Sequence, residues 1–271
     1  MKMWLRQFSV LALTVVFTIA ALAATLCSEV SAAPVLWVGD GDGTLGTVDV
    51  ATGTATVVGQ MPVTMTDIAF DPSGNLWGIT FTQLYQINPT TAAATLVGNL
   101  GTSANSLVFG ADGTLYTANS SLFTVNTSTG AASLIGGGGG YGSSGDLAFI
   151  GGNLYLSSVG DNLFAINTAT GVGTLVGPIG FSSVFGLATN NNINLYGITG
   201  TNVLGISTAT GAGTILVNYA GTSLGGAFGS AFLSESGGGG TVPEPSGLAL
   251  LGLGLAGLAA WRYRQWRTGT A

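Results

Sequence analysis

Asp67–Gly98 reads DIAFDPSGNLWGITFTQLYQINPTTAAATLVG, and much of the chain consists of worn copies of it. Four short apolar runs lie inside it: Asp67–Phe70, Leu76–Thr80, Leu84–Asn88 and Thr95–Gly98. Each has the length of a strand, and turn residues separate them. Asp71-Pro72-Ser73-Gly74-Asn75 joins the first two runs. Pro presets one turn dihedral there and Gly supplies a positive φ. Asn88-Pro89-Thr90-Thr91-Ala92 joins the last two, and this second turn is the best marker of the repeat.

The marker recurs as Asp49–Gly53, Asn126–Gly130, Asn167–Gly171 and Ser207–Gly211. Its closing residues fall at 53, 92, 130, 171 and 211, with spacings of 39, 38, 41 and 40. Asp, Asn or Ser opens the turn, where its side chain can bond the backbone two residues on. Gly closes it in four of the five copies, where φ is expected to be positive. A period of about 40 residues made of four antiparallel strands is the pattern of a β-propeller blade. Five copies predict an all-β, five-bladed propeller. The first copy begins at Leu36-Trp37-Val38 without an opening run. The last run, Leu224–Phe228, resembles the opening strands Asp146–Phe149 and Phe185–Ala188, and is expected to complete blade one from the C-terminal side. Closure of that kind removes two sheet edges. A β-solenoid or an open sheet stack is the alternative architecture.

Charge excludes more than it suggests. Charged residues are 6% of the 271-residue chain, and all five basic ones lie near the ends, at Lys2, Arg6, Arg262, Arg264 and Arg267. Between residues 34 and 241 there is no Lys, Arg or His; the charges there are eight Asp and Glu235. Such a body has no cation for a phosphate, so no nucleic-acid partner is expected. It has no His or Lys to act as a general base, and no His for a metal. No catalytic, cofactor-binding or metal-ligating residue is therefore assigned. The one cysteine, Cys27, lies in the leader, with Leu26 where a lipoprotein signal needs a small residue.

Three features of the body have rival readings. Trp37, Trp77, Tyr116, Tyr155 and Tyr196 take one equivalent position per blade. They are either platforms for sugar rings or, as a position inside the second strand favours, packing between blades. Asp40-Gly41-Asp42-Gly43 is oxygen-rich like a calcium loop, but lacks the further ligands; a hairpin turn is the simpler reading. Asp67 and Asp146 open two inner strands, with Ser106, Gly186 and Gly225 at the matching places. As a carboxylate pair they invite comparison with glycosidases; as solvated strand ends they need no function. The five glycines Gly136–Gly140 are expected to form a mobile loop.

The ends carry an address. Residues 1–32 combine Lys2 and Arg6, an apolar run at Phe8–Leu26 and small residues at Val30–Ala33. This predicts a secretory signal helix cut by signal peptidase after Ala32, with Ala21-Leu22-Ala23 a second site and an uncleaved anchor the alternative. The propeller is assigned to residues 33–233, and a Gly/Ser linker to 234–241. Then come Val242, Pro243, Glu244 and Pro245, an apolar stretch over 247–261, and Arg262, Arg264 and Arg267. At 1.5 Å per residue, that stretch makes a short transmembrane helix, suited to transient holding. Gly252–Gly257 matches G-x-G-x-x-G, but no strand precedes it and no acidic residue follows, so a dinucleotide site is rejected.

This tail resembles the PEP-CTERM protein-sorting signal of Gram-negative bacteria. The resemblance covers the last tenth of the chain and implies export, transient retention at the inner membrane and processing by an exosortase-type enzyme near Pro243–Pro245. Release to the cell surface or extracellular matrix would follow. The function expected is that of a non-enzymatic structural or adhesive matrix protein, with exopolysaccharide as the partner. A carbohydrate-binding, lectin-like propeller is the alternative, and a propeller hydrolase a third.

Overall fold

The computed structural model describes residues 34–236. The signal segment and the sorting tail, with its apolar helix, lie outside the described residues. Within them every regular element is a β-strand.

Blade one contains β1 (Val35–Asp40), β2 (Thr44–Asp49) and β3 (Ala55–Gln60). Blade two is β4 (Asp67–Phe70), β5 (Leu76–Ile79), β6 (Gln83–Ile87) and β7 (Ala94–Asn99). Blade three is β8 (Ser106–Phe109), β9 (Leu115–Ala118), β10 (Ser121–Val125) and β11 (Ala132–Gly137). Blade four is β12 (Ser143–Ile150), β13 (Asn153–Ser158), β14 (Asn162–Ile166) and β15 (Gly173–Pro178), and blade five is β16 (Val184–Asn190), β17 (Asn194–Thr199), β18 (Asn202–Ile206) and β19 (Gly213–Asn218). The last strand, β20 (Ala227–Phe232), returns to pair antiparallel with β1. Each blade is thus a four-stranded antiparallel sheet, and the ring is closed by the C-terminal strand.

The closing strand sits further along the chain than its sequence suggests. Leu224–Phe228 was the expected run, but the pairs Leu36–Phe232 and Trp37–Ala231 fix the register on Ala227–Phe232. The residue equivalent to Asp67 is therefore Gly229, not Gly225. Leu224 instead plugs the core between blades five and one, and the Gly225 N–H donates to Asp40 Oδ2 at 2.9 Å. A repeat of Gly and small apolar residues offers several registers, and tertiary packing selects one of them.

The hydrophobic cores lie between blades. One cluster joins Leu45 and Ala231 of blade one to Ile68, Phe70 and Leu76 of blade two. The next joins Trp77 and Leu84 of blade two to Leu107, Phe109 and Leu115 of blade three. Side chains alternate along a strand, so each blade offers one face to each neighbour. The aromatic ring is spent in these seams. Trp37 packs edge-on against Phe70 at 5.5 Å, and Tyr116 against Phe149 at 5.6 Å. Trp77 meets Phe109 at 6.0 Å and Tyr196 meets Phe232 at 5.0 Å. Each ring thus fills the wedge against the inner strand of the next blade.

The turn chemistry follows the sequence. Asn88, Asn126 and Asn167 each accept backbone N–H groups two and three residues on, at 2.8–3.1 Å. Asp40 Oδ1 accepts from the N–H groups of Asp42 and Thr44, at 3.0 and 2.7 Å, which is the chemistry of a hairpin turn. Of Gly136–Gly140, expected as a mobile loop, the first two end β11, and Gly138–Gly140 follow as an exposed connection. The Gly173 N–H donates to the Gly138 carbonyl at 3.1 Å, and buried Tyr141 donates its hydroxyl proton to the Gly171 carbonyl at 2.8 Å.

Candidate functional site: an axial funnel

The inner strands β20, β4, β8, β12 and β16 surround the propeller axis, and each contributes one residue to a shared layer. These residues are Gly229, Asp67, Ser106, Asp146 and Gly186, all buried. The two aspartates, expected as solvated strand ends, are wholly buried instead. The reason is geometric: the blades converge at the axis, and their small neighbours leave just enough room. A Cβ placed on Gly229 would lie 2.7 Å from Asp67 Oδ1.

Their oxygens stitch the ring together. Asp67 Oδ1 accepts from the N–H of Ile68 at 2.8 Å, and Oδ2 from Leu107 of blade three at 2.5 Å. Asp146 Oδ1 accepts from the N–H of Leu147 at 2.6 Å, and Oδ2 from Leu187 of blade five at 2.5 Å. The Ser230 hydroxyl of blade one also approaches Asp146 Oδ2, at 3.4 Å. Burial first, and then the negative charge of Asp146, holds the Asp67 carboxyl far above the usual carboxylate range. Burial does the same to Asp146. Burial together with the like charge of the neighbour thus opposes ionisation of both carboxyls at once.

A third carboxyl closes the opposite face. Ser234, Glu235 and Ser236, which fall within the expected linker, form a turn across the ends of the inner strands. Glu235 is buried, and its two oxygens accept from the N–H groups of Phe70 and Phe232, both at 3.1 Å. Burial, and secondarily the Asp146 charge, pushes its pKa well up. Ser234 Oγ donates to Asn190 Oδ1 at 3.0 Å and accepts from the Asn191 N–H at 3.2 Å.

Above the aspartate layer the axis opens into a funnel. Thr66, Asn105, Gly145, Phe185 and Phe228 line it; each stands immediately before a member of the buried layer. Ser144 and the exposed Phe81 complete the wall. The cavity holds about 160 Å³. Phe185 and Phe228 meet edge-on at 5.8 Å. The Asn105 Nδ2 donates to the Ser143 carbonyl at 3.1 Å, while Asn105 Oδ1 has no hydrogen-bond partner. Ser143 Oγ beside it is also unpartnered. Because the residues one step deeper are fully buried, the funnel is blind. Sequence reasoning passed over all of these lining residues as site candidates. Their signal was positional, one residue ahead of the aligned strand starts, and it emerges only once the register of β20 is known.

Among the described residues, no group of three or more His, Cys, Asp or Glu side chains is placed to hold a metal ion. Val242, Pro243, Glu244, Pro245, Arg262, Arg264 and Arg267 lie outside the described residues, and the sequence alone carries them. Residues 241–265 match the PEP-CTERM protein-sorting motif. The chain carries a PEP-CTERM sorting motif. That motif marks an exported protein, sorted through the membrane and processed by an exosortase-type enzyme.

No curated protein matches the sequence. Among solved structures, a structural genomics protein of unknown function from Bacteroides thetaiotaomicron VPI-5482 is 14% identical, with a TM-score of 0.49 over 69% of this chain and 58% of that one. The chain thus spans little more than half the length of that protein. A symmetrical protein from work on de novo evolutionary emergence is 19% identical, with a TM-score of 0.47 over 68% of this chain and 90% of that one. Hydrazine synthase from Kuenenia stuttgartiensis is 15% identical, with a TM-score of 0.42 over 57% of this chain and 49% of that one. At these scores the likenesses carry no argument about function.

Proposed function

We propose that this protein is a non-enzymatic structural or adhesive component of the cell surface or extracellular matrix of a Gram-negative bacterium. Its leader directs export, and its tail is held at the inner membrane until an exosortase-type enzyme acts near Pro243–Pro245. The observation that carries the proposal is the sorting motif at residues 241–265, attached to a body without Lys, Arg or His between 34 and 241. The carboxyls nearest to a catalytic pair, Asp67 and Asp146, are sealed under the funnel floor and hydrogen-bonded to backbone. Uncharged Thr and Asn loops then present many weak hydrogen-bonding sites to polysaccharide, and avidity supplies the strength.

The test is retention of the exported protein on its producer's own exopolysaccharide, with and without calcium and competing sugars. Retention that no single sugar competes away supports the adhesive reading. Turnover of a small substrate would overturn it. A second reading, a carbohydrate-binding propeller with a defined site, is favoured by the axial funnel, and predicts saturable binding that a simple sugar abolishes.

A further inference from the structure

We propose that the axial funnel is a binding site for one neutral, hydroxylated ring: the terminal residue of a glycan chain, or a free monosaccharide. The inference rests on the second reading above and assigns it a place and a ligand class.

The wall chemistry narrows the ligand. Phe81, Phe185 and Phe228 offer apolar ring surface, with Phe81 59% and Phe228 40% exposed. Nothing charged lines the cavity. An anion finds no cation, because the body contains none. A cation finds no free carboxylate, because Asp67 and Asp146 lie fully buried beneath, their oxygens already accepting backbone N–H groups. A purely apolar ligand would leave Asn105 Oδ1 without a donor. The amide orientation is fixed by the Nδ2 bond to the Ser143 carbonyl, so the unpartnered atom is the acceptor; it is buried in the wall, and a ligand O–H or N–H reaches it only by entering that wall. An apolar face with hydroxyl donors at its edge is the chemistry of a pyranose.

Shape narrows it further. At about 160 Å³ the cavity falls below the roughly 300–1,000 Å³ usual for ligand pockets, room for one ring at most and not for several. A blind funnel cannot thread a chain, so it takes an end. The chain leaves the described fold at Ser236, on the face carrying Phe70 and Phe232, opposite the mouth.

The experiment is calorimetry of the exported protein with neutral methyl hexosides, linear oligosaccharides of the same sugars and a cyclic oligosaccharide, which has no end. The expected result is one site per chain for at least one hexoside and its linear oligomer, and none for the cyclic form. Phe81→Ala and Asn105→Ala each weaken binding at least about fivefold. Phe81 is exposed, so its variant keeps the fold even where Asn105→Ala does not. Equal binding of the cyclic form, binding of choline in place of sugars, no saturable binding across the panel, or binding unchanged in Phe81→Ala overturns the proposal. Retention on exopolysaccharide that survives both variants overturns the funnel site and leaves the adhesive reading intact. One-site sugar binding without any retention does the reverse.

Discussion

At the scale of single residues, the glycines of the repeat marker have a specific task. Gly130 takes φ 77° and lies across the blade seam from Gly98, so that a Cβ on it would stand 2.6 Å from the Gly98 carbonyl carbon. Both the backbone conformation and the contact forbid a side chain. Gly130→Ala is predicted to cost about 2 kcal/mol or more, read as a lower urea midpoint. In blade two the same position is Ala92, which keeps φ 59° and is fully buried. Ala92→Gly relieves about 0.5–1 kcal/mol of backbone strain and loses about 0.8 kcal/mol of methyl burial, so the midpoint should hardly move. The marker turns were legible in the sequence because Asx-turn chemistry is local. The close approach across the seam was not, because it depends on which blade lies alongside.

The axial carboxyls give a second residue-scale prediction. Asp67, Asp146 and Glu235 all have raised pKa values in the folded protein. The native state then keeps protons that the unfolded chain releases above about pH 4. This stability is fully present below about pH 4 and is lost as pH rises through the folded values. The urea midpoint should therefore be higher near pH 5 than near pH 9. Asp67→Asn removes one of these titrating groups and the repulsion it exchanges with Asp146, and should flatten the slope. Asp71 and Asp112 act in the opposite sense. At Asp71 burial works upward, but hydrogen bonds from Asn75, Trp77 and Ser73 outweigh it; at Asp112 bonds from Thr114 hold the pKa down. Their share is lost as pH falls, and both face solvent, so it is small.

At the scale of elements, the seams and the closing strand decide stability. Trp77 is buried between blades two and three and donates its indole N–H to Asp71 Oδ2 at 3.1 Å. Trp77→Ala should cost about 3–5 kcal/mol, measured by chemical denaturation, and any loss of sugar binding in that variant would reflect unfolding. Ending the chain at Gly226 removes β20, leaving β1 without its hydrogen-bonded inner partner. That truncated chain is predicted to aggregate on size-exclusion chromatography, as exposed strand edges do. The four-strand blade was readable from Asp67–Gly98 because its runs alternate with strong turn signals. The exact closing register was not, since Leu224–Phe228 and Ala227–Phe232 are both short runs of Gly and small residues ending in Phe, and Leu224 and Phe232 both reach the core. The funnel inherited that ambiguity, because its residues are defined by the same register.

At the scale of the molecule, one face of the disc is sealed and the other is open. The chain enters the fold at Val35, beside the Leu36–Phe232 pair, and leaves at Ser236 on the same face. The funnel opens opposite. In this account the body supplies a rigid disc whose few charges are all acidic, and the tail supplies its address. The address is a claim about residues 242–271, and the producing cell is the place to test it. The direct measurement is fractionation of that cell expressing the full chain or a chain ending at Thr241, with the body followed by antibody. The account predicts that the full chain passes through a membrane-held form and accumulates at the surface or in the matrix, whereas the shortened chain is never membrane-held and does not accumulate there. Identical distribution of the two chains would contradict it.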